Sequence, residues 1–180
     1  MLLSFEVNGY KLFDESICFS MHALKKFKRL NENVYTQKIG TKEYNVLKSA
    51  IIYGPNNSGK TTFIKAIATL KHIVEEECID DVTKDNLNFN FFDSRRNIDY
   101  KIEFIGEMNH YVYELSFSEK NEITNEILYV GGKKILDRFG NNKKDVGQII
   151  ELLGHYKNKL MVTCLPKNYI EYYEEFKKFF

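Results

Sequence analysis

Two glycines, a lysine and a threonine at fixed spacing, within Gly54-Pro55-Asn56-Asn57-Ser58-Gly59-Lys60-Thr61-Thr62, constrain this chain more than any other stretch. They fit G-x-x-x-x-G-K-[ST], a loop whose backbone N–H groups surround phosphate oxygens. Just upstream, Ala50-Ile51-Ile52-Tyr53 is a short apolar run of the kind a buried parallel strand needs. Downstream, Phe63, Ile67, Leu70 and Val74 fall on one stripe of a helix and predict helix from residue 60 to about 77. Strand, glycine-rich loop and helix form the context this motif requires. The expected fold is therefore α/β, and the expected ligand is a nucleoside triphosphate.

Each position in the loop has a chemical reason. N–H groups around Asn57 to Thr62 should point inward, reinforced by the positive end of the helix dipole. Gly54 and Gly59 let the backbone turn where a Cβ would collide. Lys60 should reach the β- and γ-phosphates as a point charge, and the Thr61 hydroxyl should take one site on Mg²⁺. Thr62 is placed to donate to the α-phosphate. The candidate cofactors are ATP and Mg²⁺, with Gly54, Asn56, Asn57, Ser58, Gly59, Lys60, Thr61 and Thr62 as binding residues.

Binding is only half of hydrolysis. Turnover also needs an apolar strand ending in an acid that holds Mg²⁺, and a group that orients water. No run of four apolar residues in this sequence ends in a carboxylate. Cys78-Ile79-Asp80 and Ile135-Leu136-Asp137 are too short, and Leu160-Met161-Val162-Thr163-Cys164-Leu165 ends in Pro166. No L-S-G-G-Q-like segment is present; Gly131-Gly132 reads as a hairpin turn instead. The catalytic residues are thus unassigned. Asn142-Lys143-Lys144-Asp145 and Asp137-Arg138-Phe139-Gly140 imitate two guanine-nucleotide motifs. They lie within one polar turn rather than on two strands, so a loop is the simpler reading.

The charge balance, 26 Lys+Arg against 25 Asp+Glu for a net +1, gives no electrostatic case for nucleic acid or an anionic membrane. The one dense basic cluster, Lys25, Lys26, Lys28 and Arg29, reads as a solvated face. Cys18, Cys78 and Cys164 are widely spaced and form no C-x-x-C pair, which fits reduced thiols. No stretch approaches the roughly 18 apolar residues of a membrane helix, and a cytoplasmic location is expected.

Along the chain, 180 residues at 43% apolar content suit one core. Leu3, Phe5 and Val7 alternate as a strand, and residues 10–13 and 17–19 read as further short strands. Residues 22–45 read as an irregular segment with a short helix. Residues 46–53 form the strand feeding the loop, and 76–90 a linker. Tyr100, Ile102 and Phe104, then Tyr111, Tyr113, Leu115 and Phe117, form one hairpin. Residues 126–139 form a second, making an antiparallel block after an α/β unit. Val146, Ile149, Ile150 and Leu153 mark a helix. Tyr169, Tyr172, Tyr173, Phe176 and Phe180 form an aromatic helical stripe that either packs on its own core or docks a partner.

With these features placed, the chain resembles the N-terminal lobe of ABC-class ATPases of the RecF/SMC/OLD group. Within that group it is closest to the small "AAA family" ATPases of bacterial anti-phage systems. Ser4-Phe5-Glu6-Val7-Asn8-Gly9-Tyr10-Lys11-Leu12-Phe13 is similar to the opening S-F-x-V-x-N-F-K-S-F, with Gly9 in place of Asn. The loop matches G-x-N-x-S-G-K-[ST]-[NT], and the segments around Tyr111-Val112-Tyr113 and Asn125-Glu126-Ile127-Leu128-Tyr129 resemble the family's hairpins.

The resemblance implies a single P-loop lobe over residues 1–180. N-terminal strands would occupy 1–53, the loop and helix 54–78, antiparallel hairpins 98–140 and a helical part 143–180. It implies that signature, Walker B acid, D-loop and switch histidine lie beyond residue 180, in a second lobe or protomer, so that this chain binds ATP without turning it over alone. Two other readings stand beside it. One is a complete small NTPase or kinase whose acid is Asp80, Asp81 or Asp93. The other is a nucleotide-stabilised interaction module that docks through Tyr172, Phe176 and Phe180.

Overall fold

Alternation of apolar and polar side chains builds most of this protein. The computed structural model describes residues 1–13, 15–24, 32–86, 97–118, 120–139 and 157–180. Strands β1 (Leu2–Asn8) and β2 (Ile17–Ser20) pair antiparallel, and β1 also pairs antiparallel with β5 (Asn97–Ile105). The sheet continues through β6 (His110–Ser118), β7 (Ile123–Val130) and β8 (Lys133–Asp137), in the order β2-β1-β5-β6-β7-β8. A separate hairpin is formed by β3 (Val34–Ile39) and β4 (Lys42–Leu47).

One face of the six-stranded sheet carries Phe5, Val7, Ile98, Tyr100, Ile102, Phe104, Tyr111, Tyr113 and Leu115, all buried. The opposite face is polar, and there the register partners Lys101 and Glu114 form a 2.8 Å ion pair. The apolar face is covered by α1 (Lys60–Glu76), through Phe63, Ala66, Leu70, Ile73 and Val74. Phe5 meets Phe63 edge-on at 5.7 Å. Each fully buried large apolar side chain of this kind contributes about 1.5–3 kcal/mol. A register shift between Leu2 and Ser4 sets Leu3 apart, in a second cluster with Val46 and Ile105 that seats the β3–β4 hairpin.

The C-terminal stripe packs on the same core. Helix α3 (Ile170–Phe179) buries Phe176 completely against Tyr113 at 4.9 Å, and Phe179 stacks on Phe104 at 3.9 Å. Tyr172, Tyr173 and Phe180 pack partly buried on this cluster. The Glu175 carboxylate accepts from the Met108 N–H (2.6 Å), Asn109 Nδ2 (2.8 Å) and Tyr111 Oη (2.6 Å), fixing α3 to the β5–β6 turn. Glu77 accepts from Tyr173 Oη at 2.6 Å and Lys177 Nζ at 2.5 Å. Between the two expectations for the stripe, the structure favours its own core.

Glu126, on β7, is fully buried. Its carboxylate accepts the N–H groups of Met161 (2.7 Å) and Val162 (2.9 Å), the Tyr113 hydroxyl (3.1 Å) and Arg138 Nη1 (3.1 Å). Burial raises its pKa, and the two amides and Arg138 oppose the rise. The apolar run 160–165 is therefore no strand: it enters a 3-10 turn, Val162–Cys164, whose first amides Glu126 holds.

Several expectations need correction. Residues 48–53 form no strand, and Ile51 and Tyr53 are 86% and 89% exposed. The parallel strand before the loop is absent because no strand among the described residues lies beside it, and a strand exists only by pairing. Residues 10–13 are a turn closed by the Phe13 N–H on Tyr10 O at 3.1 Å, not a strand. The β3–β4 hairpin spans residues 34–47, read as irregular as far as 45 and as the start of the loop strand at 46–47; polar side chains on both its faces hide its period. The N-terminal strands and the later hairpins, read as separate blocks, are one sheet. The helix marked by Val146 to Leu153 and the basic cluster at 25–29 lie outside the described residues.

Short helix α2 (Asp81–Asn86) begins at an aspartate cap. Asp80 Oδ1 accepts from the Thr83 N–H (2.7 Å) and hydroxyl (2.5 Å), and Oδ2 accepts from His72 Nε2 at 3.0 Å. These bonds, the Thr83 hydroxyl first, hold its pKa at about 2, below the ordinary 3.8. A depressed carboxylate stabilises the fold above its unfolded pKa, and that contribution vanishes as pH falls through the folded value. Asp80→Ala should cost about 1 kcal/mol at pH 7. In denaturant titrations the gap to the parent should close between pH 4 and pH 2.

Candidate functional site

The loop 54–59 joins the exposed segment 48–53 to α1, and its backbone is shaped by two left-handed residues, Asn57 (φ 68) and Gly59 (φ 86). Asparagine tolerates that region better than most residues and glycine occupies it freely. At Gly59 sterics add a second reason: a Cβ there would lie 3.0 Å from Phe13 Cε1. Gly54 has a different one, since a Cβ would approach Ser58 Oγ to 2.8 Å.

Gly59 is the N-cap of α1 and supplies no side-chain cap; the first turn contains no acidic residue. The first intrahelical bond runs from the Phe63 N–H to Gly59 O at 2.8 Å. The N–H groups of Lys60, Thr61 and Thr62 precede it and have no acceptor among the described residues. Together with the helix dipole they form a site for an anion. The Lys60 ammonium donates to Gly54 O (2.8 Å) and Pro55 O (2.5 Å), with Ser58 Oγ at 3.4 Å. It is thus held against the loop by carbonyls that phosphate oxygens can replace with stronger, charged partners. Free amides and one ammonium fit a polyphosphate, and the exposed Thr61 hydroxyl is a hard oxygen suited to Mg²⁺.

A cavity of about 380 Å³ opens beside the loop. It is lined by Phe13, Ile17, Phe19 and Phe63 and by loop residues that include Gly54, Ser58, Gly59 and Lys60. A larger cavity of about 570 Å³ lies against α3, but there Glu107, Glu171, Glu174 and Glu175 outnumber Lys177 and Lys178. Its charge is of the wrong sign for a triphosphate. Sequence reasoning placed Phe13 in an opening motif without linking it to the loop; the link comes from the turn at 10–13.

The acids considered for catalysis are elsewhere. Asp80 and Asp81 sit past the far end of α1, whose 17 residues span about 25 Å, and Asp93 lies outside the described residues. Asp137 pairs with Lys134 at 2.7 Å, and Arg138 is engaged by Glu126 and by Lys159 O at 2.7 Å. Asp137 and Arg138 are therefore committed to structure; Gly140 and Asn142 to Asp145 lie outside the described residues. Among the described residues no set of three His, Cys, Asp or Glu side chains could hold a metal, and the three cysteines are free. No helix among them is long and apolar enough to cross a membrane.

No curated protein and no solved structure matches this chain. A family model does: that of the "AAA domain, putative AbiEii toxin, Type IV TA system" matches residues 49–145, more than half of the chain. It begins at the exposed segment before the phosphate loop and runs through α1 and the hairpins of the sheet. An AAA-type, P-loop ATPase-like domain accounts for the loop, the helix it caps and the ammonium between them. The chain belongs to the AAA domain family of that description.

Proposed function

We propose that this chain is the nucleotide-binding lobe of an ABC-type ATPase, binding Mg·ATP and hydrolysing it only with a second lobe or protomer. The observation that carries the reading is the bare first turn of α1, with free amides beside Lys60 and Thr61. Lys60 and the amides of residues 57–62 would hold the β- and γ-phosphates, Thr62 the α-phosphate and Thr61 Mg²⁺. The metal's contribution would be to neutralise charge developing on the γ-phosphate.

The segment before the loop supports the need for a partner. Residues 49–53 offer backbone groups with no partner among the described residues and side chains as apolar as Ile51 and Tyr53, largely in solvent. A neighbouring strand from a second lobe would satisfy both. The family's description, a toxin of a type IV TA system, accords with a cytoplasmic role in anti-phage defence. The near-neutral charge gives no support to a nucleic-acid partner.

The test is phosphate release by the isolated chain under saturating Mg·ATP. Binding without measurable turnover is expected. Steady release that disappears in Lys60→Ala would show a complete enzyme and overturn the requirement for a partner.

A further inference from the structure

The turn at residues 10–13 joins the end of β1 to the phosphate loop. It starts at Gly9 (φ 70), where a Cβ would lie 2.4 Å from Asn97 O, so the chain leaves β1 hard against the start of β5. Tyr10 is fully buried, its hydroxyl 3.1 Å from Thr69 Oγ1 on α1 and its ring 6.2 Å from that of Tyr100. Lys11 then takes a left-handed backbone (φ 54), which a lysine keeps only where its surroundings impose it. The Phe13 N–H closes the turn on Tyr10 O. The Phe13 ring abuts Gly59, where a Cβ would meet Cε1 at 3.0 Å and Cζ at 3.6 Å.

The turn therefore grips α1 at two points, Thr69 within the helix and Gly59 at its N-cap. The second grip bears on the loop. Gly59 is left-handed (φ 86) and has no side chain through which its conformation could be fixed, and residues 54–58 before it are exposed. A glycine so placed has more conformers to lose than any other residue. A ring set against it removes many of them before a ligand arrives. The loop then stays curled over the first turn of α1, where the N–H groups of Lys60, Thr61 and Thr62 have no acceptor among the described residues.

Given the reading of the loop above, we infer that Phe13 is a positioning residue of the phosphate site: its ring holds Gly59 so that the loop is shaped for phosphate before phosphate binds. Phe13 acts through the backbone of Gly59 and not through contact with the ligand. Its contribution is therefore the same for any polyphosphate, with or without a nucleoside attached.

The test is a set of calorimetric titrations of the full chain with Mg²⁺ and two probes, the β,γ-imido analogue of ATP and inorganic tripolyphosphate. Each variant is also melted without ligand. Phe13 packs only partly buried on the core, so it can be shortened with the fold intact. Phe13→Ala should weaken both probes by the same factor, about five- to tenfold, the cost of ordering roughly one more backbone residue on binding. Phe13→Leu, which keeps carbon against Gly59, should recover most of that loss. Phe13→Val should fall between the two, and it stands in for Phe13→Ala if that chain does not fold. Ile123→Val, in the core on β7, should lower the melting temperature yet leave both affinities within about twofold of the parent. An unchanged tripolyphosphate affinity in Phe13→Ala would overturn the inference. So would a loss confined to the nucleotide, which would make the ring a contact to the nucleoside. An equal loss in Ile123→Val, or no recovery in Phe13→Leu, would do the same. If the folded parent binds neither probe, the reading of the loop itself fails, a result distinct from failure of the Phe13 role.

Discussion

Lys60→Ala should weaken Mg·ATP binding by about 2–3 kcal/mol, roughly 30- to 150-fold, while leaving the fold intact. The estimate rests on the loss of charged hydrogen bonds to phosphate. The ammonium touches only loop carbonyls and Ser58 in this structure and lines no part of the core. Its removal should therefore change stability by no more than about 0.5 kcal/mol. Parallel titrations and thermal melts separate the two quantities. Equal affinities for the parent and Lys60→Ala would mean that the ammonium is not the phosphate ligand.

The second large effect concerns the buried carboxylate of β7. Glu126→Ala should destabilise the protein by about 3–5 kcal/mol, the usual cost of removing one partner from a buried ion pair. That corresponds to a fall of roughly 6–20 °C in melting temperature for a chain of this size. The reason is what remains behind. Arg138, with a side chain only 9% exposed, loses its carboxylate, and the amides of Met161 and Val162 and the Tyr113 hydroxyl lose their common acceptor. Glu126→Leu combined with Arg138→Met should recover part of the loss, because an apolar pair can replace a buried ionic one. Recovery should stay incomplete, since the two amides still lack an acceptor. A Glu126→Ala variant melting within 2 °C of the parent, a shift of about 0.5–1 kcal/mol, would show that other groups pin the 160–165 segment.

Sequence alone revealed what depends on local pattern. The alternation of Leu3, Phe5 and Val7 and the rings of β5 and β6 announced strands, and Gly131-Gly132 announced the turn between β7 and β8. The stripe led by Phe63 announced α1. These features repeat within a few residues, so a single chain displays them. What depends on partners distant in sequence stayed hidden. Residues 50–53 have the composition of a buried strand, yet composition does not supply the neighbour that a strand requires. Glu126 reads as one polar residue among apolar ones; its role requires Arg138 and two amides 35 and 36 residues away. The hairpin of β3 and β4 was missed because its faces are nearly equally polar, leaving no period to detect. Within the candidate site, the loop was legible from spacing alone. The aromatic cavity beside it was not, because Phe13, Phe19 and Phe63 converge only after β1, β2 and α1 have packed.

The central claim is that the first turn of α1 and the loop before it embrace triphosphate oxygens. Titrating the purified chain with Mg²⁺ and a slowly hydrolysed ATP analogue, followed by heat and by melting temperature, tests it most directly. The account predicts saturable heat and, at a hundredfold excess over the dissociation constant, stabilisation of about 2.7 kcal/mol, or roughly 5–10 °C. Folded protein that gives neither heat nor a shift in melting would contradict it.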